Sequence, residues 1–211
     1  MEVRAVAGNQ LTVYDIDSCV PPFCAQINDP APLFSAEAYQ RSTDTIETIA
    51  LEDYRAKWVV LFFYTNNFSF VCPTELAAMA ALYPEFRSLN TEVLGISTEG
   101  VFTQKVSAQI SPSVSTVTYP LVSDRSHVIS RAYRVLNPAT GANYRATLLI
   151  DPEGVIKARM IYPPEVGRNA NEILRVLQGI QYGIETGEGV PANWVPGMPG
   201  IVKDPGNIGK V

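Results

Sequence analysis

The stretch from Trp58 to Leu76 constrains the fold of this chain more than any other. Seven consecutive apolar or aromatic residues, Trp58-Val59-Val60-Leu61-Phe62-Phe63-Tyr64, give way to Thr65-Asn66-Asn67 and Phe68-Ser69-Phe70-Val71. Then comes Cys72-Pro73-Thr74-Glu75-Leu76. Seven residues of this composition have the length and character of a buried strand. The segment Thr74–Leu89 is rich in Ala, Leu and Glu, with apolar residues at helical spacing, and Pro73 is tolerated in a first helical turn. A strand, a short turn and a helix are therefore predicted, with Cys72 where the helix begins. Free backbone N–H groups and the positive end of the helix dipole lie there. Both favour the thiolate, which is the nucleophilic form of cysteine. Glu75 either caps locally or holds a cation, and an arginine brought in from elsewhere would stabilise the thiolate more strongly. The competing expectation is an inert packed thiol, since free cysteines are commonly buried.

The remaining chain repeats the strand–helix alternation. Glu92–Ser97, Tyr119–Val122 and Ala146–Ile150 read as buried strands. Val155–Tyr162 follows the turn Asp151-Pro152-Glu153-Gly154, with Pro early and Gly late, as a hairpin requires. Helices are expected at Phe102–Ile110, at Ser126–Tyr133 after the capping residues Ser123-Asp124, and at Asn169–Gln181. The last places Ile173, Leu174, Val176, Leu177 and Ile180 on one face. A short helical turn is expected at Ala50–Arg55. Such alternation predicts an α/β fold with parallel strands and one antiparallel pair. Residues 1–27 read as an N-terminal arm with a short strand within Val3–Val13, residues 28–186 as the folded domain, and residues 187–211, rich in Pro and Gly, as a C-terminal arm.

Composition narrows the function classes. The 211 residues are 46% hydrophobic and 18% charged, ordinary globular values. A net charge of −5 disfavours nucleic acid and anionic membranes as partners. No apolar run approaches the length of a membrane span, and the N-terminus lacks the pattern of a secretory signal, so a cytoplasmic location is expected. Three cysteines and one histidine are too few and too scattered for a disulfide framework or a dedicated zinc site. His127 reads as a surface or cap residue, and Trp58 and Trp194 as packing residues.

Phe62-Phe63-Tyr64 with Phe68-Ser69-Phe70-Val71-Cys72-Pro73-Thr74-Glu75 resembles the peroxidatic-cysteine motif of the peroxiredoxins, of the alkyl hydroperoxide reductase/thiol-specific antioxidant type. Further stretches resemble the family in order. They are Glu92–Ser97, Tyr119–Asp124, Ser130–Tyr133, Tyr144–Gly154, Tyr162–Asn169 and Pro191–Trp194, so the likeness spans about residues 28 to 200. The resemblance implies a thioredoxin-like α/β fold, a central mixed sheet flanked by helices. It also implies reduction of hydrogen peroxide and organic hydroperoxides by a thiol-dependent peroxidase without metal, haem or flavin cofactor. Carried onto this chain, Cys72 is the peroxidatic thiol, which becomes a sulfenic acid. Ser69 supplies a hydroxyl to the peroxide, and Arg145 holds the thiolate and polarises the O–O bond. Glu75 and Arg168 match positions that organise the site. Their alternative is a salt-bridged helix terminus and an exposed arginine at a helix start. An external thiol reductant, either a thioredoxin-type protein or a small thiol, and assembly as a homodimer or a ring-shaped decamer are implied as well.

Two departures stand out. Thr65 occupies the place, seven residues before the cysteine, where the family has proline. The resolving cysteine of two-cysteine members is missing: Val190 stands at or beside its place, and no cysteine follows Cys72. Three outcomes stay open for the oxidised thiol. Cys19 or Cys24 resolves it, an external thiol resolves it, or the two N-terminal cysteines are incidental. The competing function class is a peroxiredoxin-fold redox sensor or interaction protein with little turnover.

Overall fold

The computed structural model describes residues 25–210. The strand expected within Val3–Val13, and with it Cys19 and Cys24, lies outside the described residues.

Seven strands form one mixed sheet. They are β1 (Ser35–Gln40), β2 (Thr45–Ala50), β3 (Trp58–Phe63), β4 (Thr91–Ser97), β5 (Leu121–Ser123), β6 (Arg145–Ile150) and β7 (Ile156–Tyr162), in the order β2-β1-β5-β4-β3-β6-β7. The helices are α1 (Cys72–Ala81), α2 (Tyr83–Ser88), α3 (Val101–Ile110), α4 (Val128–Ala132) and α5 (Ala170–Thr186). The central strand β3 is buried throughout and divides the core by its alternation. Trp58, Val60, Phe62 and Tyr64 pack with Leu76, Met79, Phe86, Ile173 and Leu177 beneath α1, α2 and α5. Val59, Leu61 and Phe63 pack with Ile129, Tyr133 and Val135 on the opposite face. A strand covered on both faces reads as a continuous apolar run.

Several boundaries differ from the sequence expectation. The predicted helix Thr74–Leu89 is two helices, broken at Leu82. Pro84 lacks the N–H that would bond the Ala80 carbonyl, and the Leu82 N–H reaches that carbonyl instead in a tighter turn. The β1–β2 hairpin, paired from Ser35 with Ala50 to Gln40 with Thr45, was not anticipated, because its turn has no Gly or Pro. Asp44 takes the left-handed conformation there, with φ 54°, and accepts from the Tyr39 hydroxyl at 2.8 Å.

The prevalence of parallel strands also needs correction. β3 and β5 run parallel to β4, whereas β6 is antiparallel to β3. After α4 the chain doubles back through an antiparallel bridge between Leu136 and Asn143, so it enters β6 in the reversed direction. α4 is shorter than Ser126–Tyr133. Asp124 caps it, accepting from the Ile129 and Ser130 N–H groups at 3.0 and 2.7 Å. His127 sits at its N-cap position without a side-chain capping bond. Trp58 and Trp194 are packing residues, both buried.

Candidate active site

β3 ends beside the start of β6, where Phe63 pairs with Ala146. The loop leaving β3 therefore meets Arg145 at the mouth of the sheet. Cys72 opens α1, Pro73 follows in the first turn, and Val71 at the N-cap supplies no side-chain capping bond. The thiol is fully buried. Arg145 Nη1 donates to Cys72 Sγ at 3.1 Å, and Thr65 Oγ1 lies 3.0 Å from the same sulfur. Burial pushes the Cys72 thiol up. The polar groups around it, Ser69, Thr65, the Asn66 backbone and Arg145, together outweigh it and hold the thiol below its ordinary range. Depression by donors is how a protein makes a thiol reactive.

Behind the sulfur lies a buried ionic cluster. Glu75 Oε2 accepts from Arg145 Nη1 at 2.6 Å, and Glu75 Oε1 accepts from Arg168 Nε at 2.8 Å and from the Arg168 backbone N–H at 2.9 Å. Arg168 also donates to the Ala146 carbonyl at 2.8 Å and lies over the Phe62 ring, 3.4 Å from its centroid. Arg145 Nε donates to the Pro164 carbonyl at 2.8 Å, which fixes the guanidinium plane. Arg168 is 6% exposed, so the alternative of an exposed arginine at a helix start does not hold. The sequence-predicted residues Cys72, Arg145, Glu75 and Arg168 thus form one connected network. Ser69 sits on the rim of the loop, where its hydroxyl donates to the Asn66 carbonyl at 3.0 Å.

Asn67 and Glu99 went unnoticed in the sequence. Glu99 Oε2 accepts from both the backbone N–H of Asn67, at 2.6 Å, and its side-chain amide. Asn67 Oδ1 in turn accepts from the Tyr64 hydroxyl at 3.3 Å. These bonds tie the loop before Cys72 to the end of β4. The only advance signal was an acidic residue just past a strand adjacent to β3, and such a residue is ordinarily solvated.

Beyond α5, Val190 packs against Gly179 and Gly183, so the position of the missing resolving thiol is seated on the chain's own helix. The tail is held there by Trp194, whose ring lies 5.2 Å from that of Tyr182 at a tilt of 42°, and by the bridge between Gly189 and Ile201.

Comparison with known proteins agrees with this geometry. Residues 27–159 match the model of the AhpC/TSA family. A putative peroxiredoxin, ycf42, of Porphyra purpurea is 42% identical over 186 residues, covering 86% of this chain and 92% of that protein. The mitochondrial thioredoxin-dependent peroxide reductase of Drosophila melanogaster is 36% identical, covering 92% of this chain and 84% of its own length. The crystal structure of the reduced 2-Cys peroxiredoxin of Plasmodium vivax superposes with a TM-score of 0.80 at 30% identity, over 85% of this chain and 93% of that one. Enterococcus faecalis AhpC superposes with a TM-score of 0.75 at 35% identity, over 78% and 98%. A strand-ending loop that delivers a buried thiol to an arginine, together with these likenesses across most of the chain, establishes that this protein belongs to the AhpC/TSA family and is a peroxiredoxin, a thiol-dependent peroxidase.

Proposed function

We propose that Cys72 is the peroxidatic residue, Arg145 and Ser69 are its catalytic partners, and an external thiol completes the cycle. The observation that carries the reading is the Arg145 guanidinium donating to the Cys72 sulfur at 3.1 Å at a helix N-terminus. The thiolate attacks one oxygen of a hydroperoxide. An S–O bond forms and the O–O bond breaks. Sulfur loses two electrons and becomes a sulfenic acid, and the departing alkoxide or hydroxide takes a proton to leave as alcohol or water. Arg145 stabilises charge as it develops on the oxygens, and the Ser69 hydroxyl orients the incoming peroxide.

Two features support an external thiol. Val190 stands at or beside the resolving position. Pro73 has no N–H with which the sulfenic acid could close a sulfenamide. The reductant condenses with the sulfenic acid, releasing water and leaving a mixed disulfide, which a second thiol of the reductant opens to return the thiolate. Relatives named for thioredoxin-dependent peroxide reduction favour a thioredoxin-type protein in that role. The same reading takes the protein as a homodimer. Its support is the outer edge of β7, the last strand of the sheet, where Ile161 is exposed.

The test is intact-mass and non-reducing peptide mapping after one equivalent of hydrogen peroxide. A sulfenic acid confined to Cys72 is expected. A disulfide from Cys72 to Cys19 or Cys24 would replace the external thiol with an N-terminal resolving one. An unmodified Cys72 would remove it from the peroxidatic role.

A further inference from the structure

Thr65 stands where the family proline is absent, and its side chain reaches the reacting atom. Its Oγ1 lies 3.0 Å from Cys72 Sγ, as close as the Arg145 guanidinium at 3.1 Å. The other two side chains around the sulfur have partners besides it. Ser69 gives its hydroxyl hydrogen to the Asn66 carbonyl at 3.0 Å. The Arg145 nitrogen that faces the sulfur at 3.1 Å makes a shorter bond, 2.6 Å, to the Glu75 carboxylate. The Thr65 hydroxyl has no hydrogen-bond partner other than the sulfur among the described residues. Branching at Cβ restricts χ1, so the hydroxyl is aimed before any reaction begins. The chemistry sets its direction. A guanidinium can only donate, so it favours the thiolate at this sulfur, and a thiolate has no proton to offer Thr65.

We propose that Thr65 is a further active-site residue that donates its hydroxyl hydrogen to the Cys72 thiolate, keeping the sulfur ionised to lower pH while moderating its intrinsic nucleophilicity. The proposal rests on the peroxidase reading above and adds to it a residue that a proline could not replace. A donor on the thiolate stabilises its charge and occupies a lone pair, so basicity and nucleophilicity fall together. The Brønsted slope for thiolates is about one half, so reactivity falls about half as steeply as basicity.

The experiment measures alkylation of Cys72 by iodoacetamide across pH, read at the Cys72 peptide by mass spectrometry in the full-length reduced protein. Thr65→Val removes the hydroxyl and keeps the shape; Thr65→Ser keeps the hydroxyl. One charge-assisted hydrogen bond corresponds to about a tenfold preference for the thiolate. In the valine variant the profile's midpoint is expected to move up. Its rate below the midpoint should fall about threefold, and its plateau above it should rise about threefold. The serine variant should restore both limbs. An unchanged midpoint, or both limbs moving the same way, would overturn the assignment. If circular dichroism shows the valine variant unfolded, Thr65→Ala against Thr65→Ser carries the same comparison. Peroxide consumption by the unsubstituted protein is measured in parallel. Its absence would refute the peroxidase reading and still leave the alkylation profiles to judge Thr65.

Discussion

Glu75 shows how much one side chain can be asked to hold. Its carboxylate is 2% exposed and bonds both Arg145 and Arg168. Burial pushes its pKa up, but hydrogen bonds and charge from Arg168, with further help from Arg145, more than reverse this and leave it below the usual carboxylate range. Removing one member of such a cluster strands buried charge, so Glu75→Ala is expected to cost about 3–5 kcal/mol in urea unfolding. The pH dependence has a definite sign. With the folded pKa depressed, the unfolded chain binds the proton more readily. The stabilisation is therefore complete above the ordinary value of 4.5 and is lost as pH falls through the folded pKa. Melting temperatures should fall more steeply below pH 4.5 in the unsubstituted protein than in Glu75→Gln. Equal slopes would mean that Glu75 carries none of the acid sensitivity.

At the scale of elements, the loop between β3 and α1 is the part that must be both fixed and able to open. It is fixed by Glu99 at the end of β4, through two bonds to Asn67, while Phe70 in the same loop is 98% exposed. A sulfur with no exposed surface cannot meet a protein thiol unless this loop moves. Glu99→Ala is expected to raise amide hydrogen exchange at Asn67 and to speed reaction of Cys72 with a bulky maleimide severalfold, an opening in a local unit rather than global unfolding. Unchanged exchange at Asn67 would show that other contacts hold the loop. Gly95 of β4 serves the same region by being small. A Cβ there would lie 3.0 Å from the Leu121 side chain and 3.1 Å from Tyr119, whose hydroxyl donates to the Leu76 carbonyl of α1.

For the whole molecule, β7 is the last strand of the sheet; among the described residues Asn28 and Asp29 pair with its first residue, Ile156, while Ile161 toward its other end is exposed. Strand edges with exposed apolar groups are templates for pairing with another chain. Light scattering is expected to return twice the 23.1 kDa chain mass, and Ile161→Asp, which puts a charge on that edge, should shift the protein toward the single-chain mass. A monomer before substitution would remove the dimer reading. In the described residues the C-terminal arm folds back on its own α5, because Trp194 and Val190 meet a helix face opened by Gly179 and Gly183.

Local chemistry carried much of this architecture in plain view. The buried run Trp58–Tyr64, the Cys-Pro helix start and the periodic face of α5 each state their structure through composition and spacing, which need no distant partner. Pro84 was equally visible, and the break it causes follows from a missing N–H. The β1–β2 hairpin was not legible, since its turn relies on Asp44 in a left-handed conformation rather than on Gly or Pro. Tertiary structure decided the rest. It set the antiparallel direction of β6, the Glu99 clamp on Asn67, and the approach of Arg145, 73 positions along the chain, to the Cys72 sulfur. It also turned Thr65 from a missing proline into a hydroxyl 3.0 Å from the reacting sulfur. Hydrogen bonding is directional and ends within a few ångströms, so these assignments depend on where the folded backbone places two distant residues, and that is a property of the whole sheet.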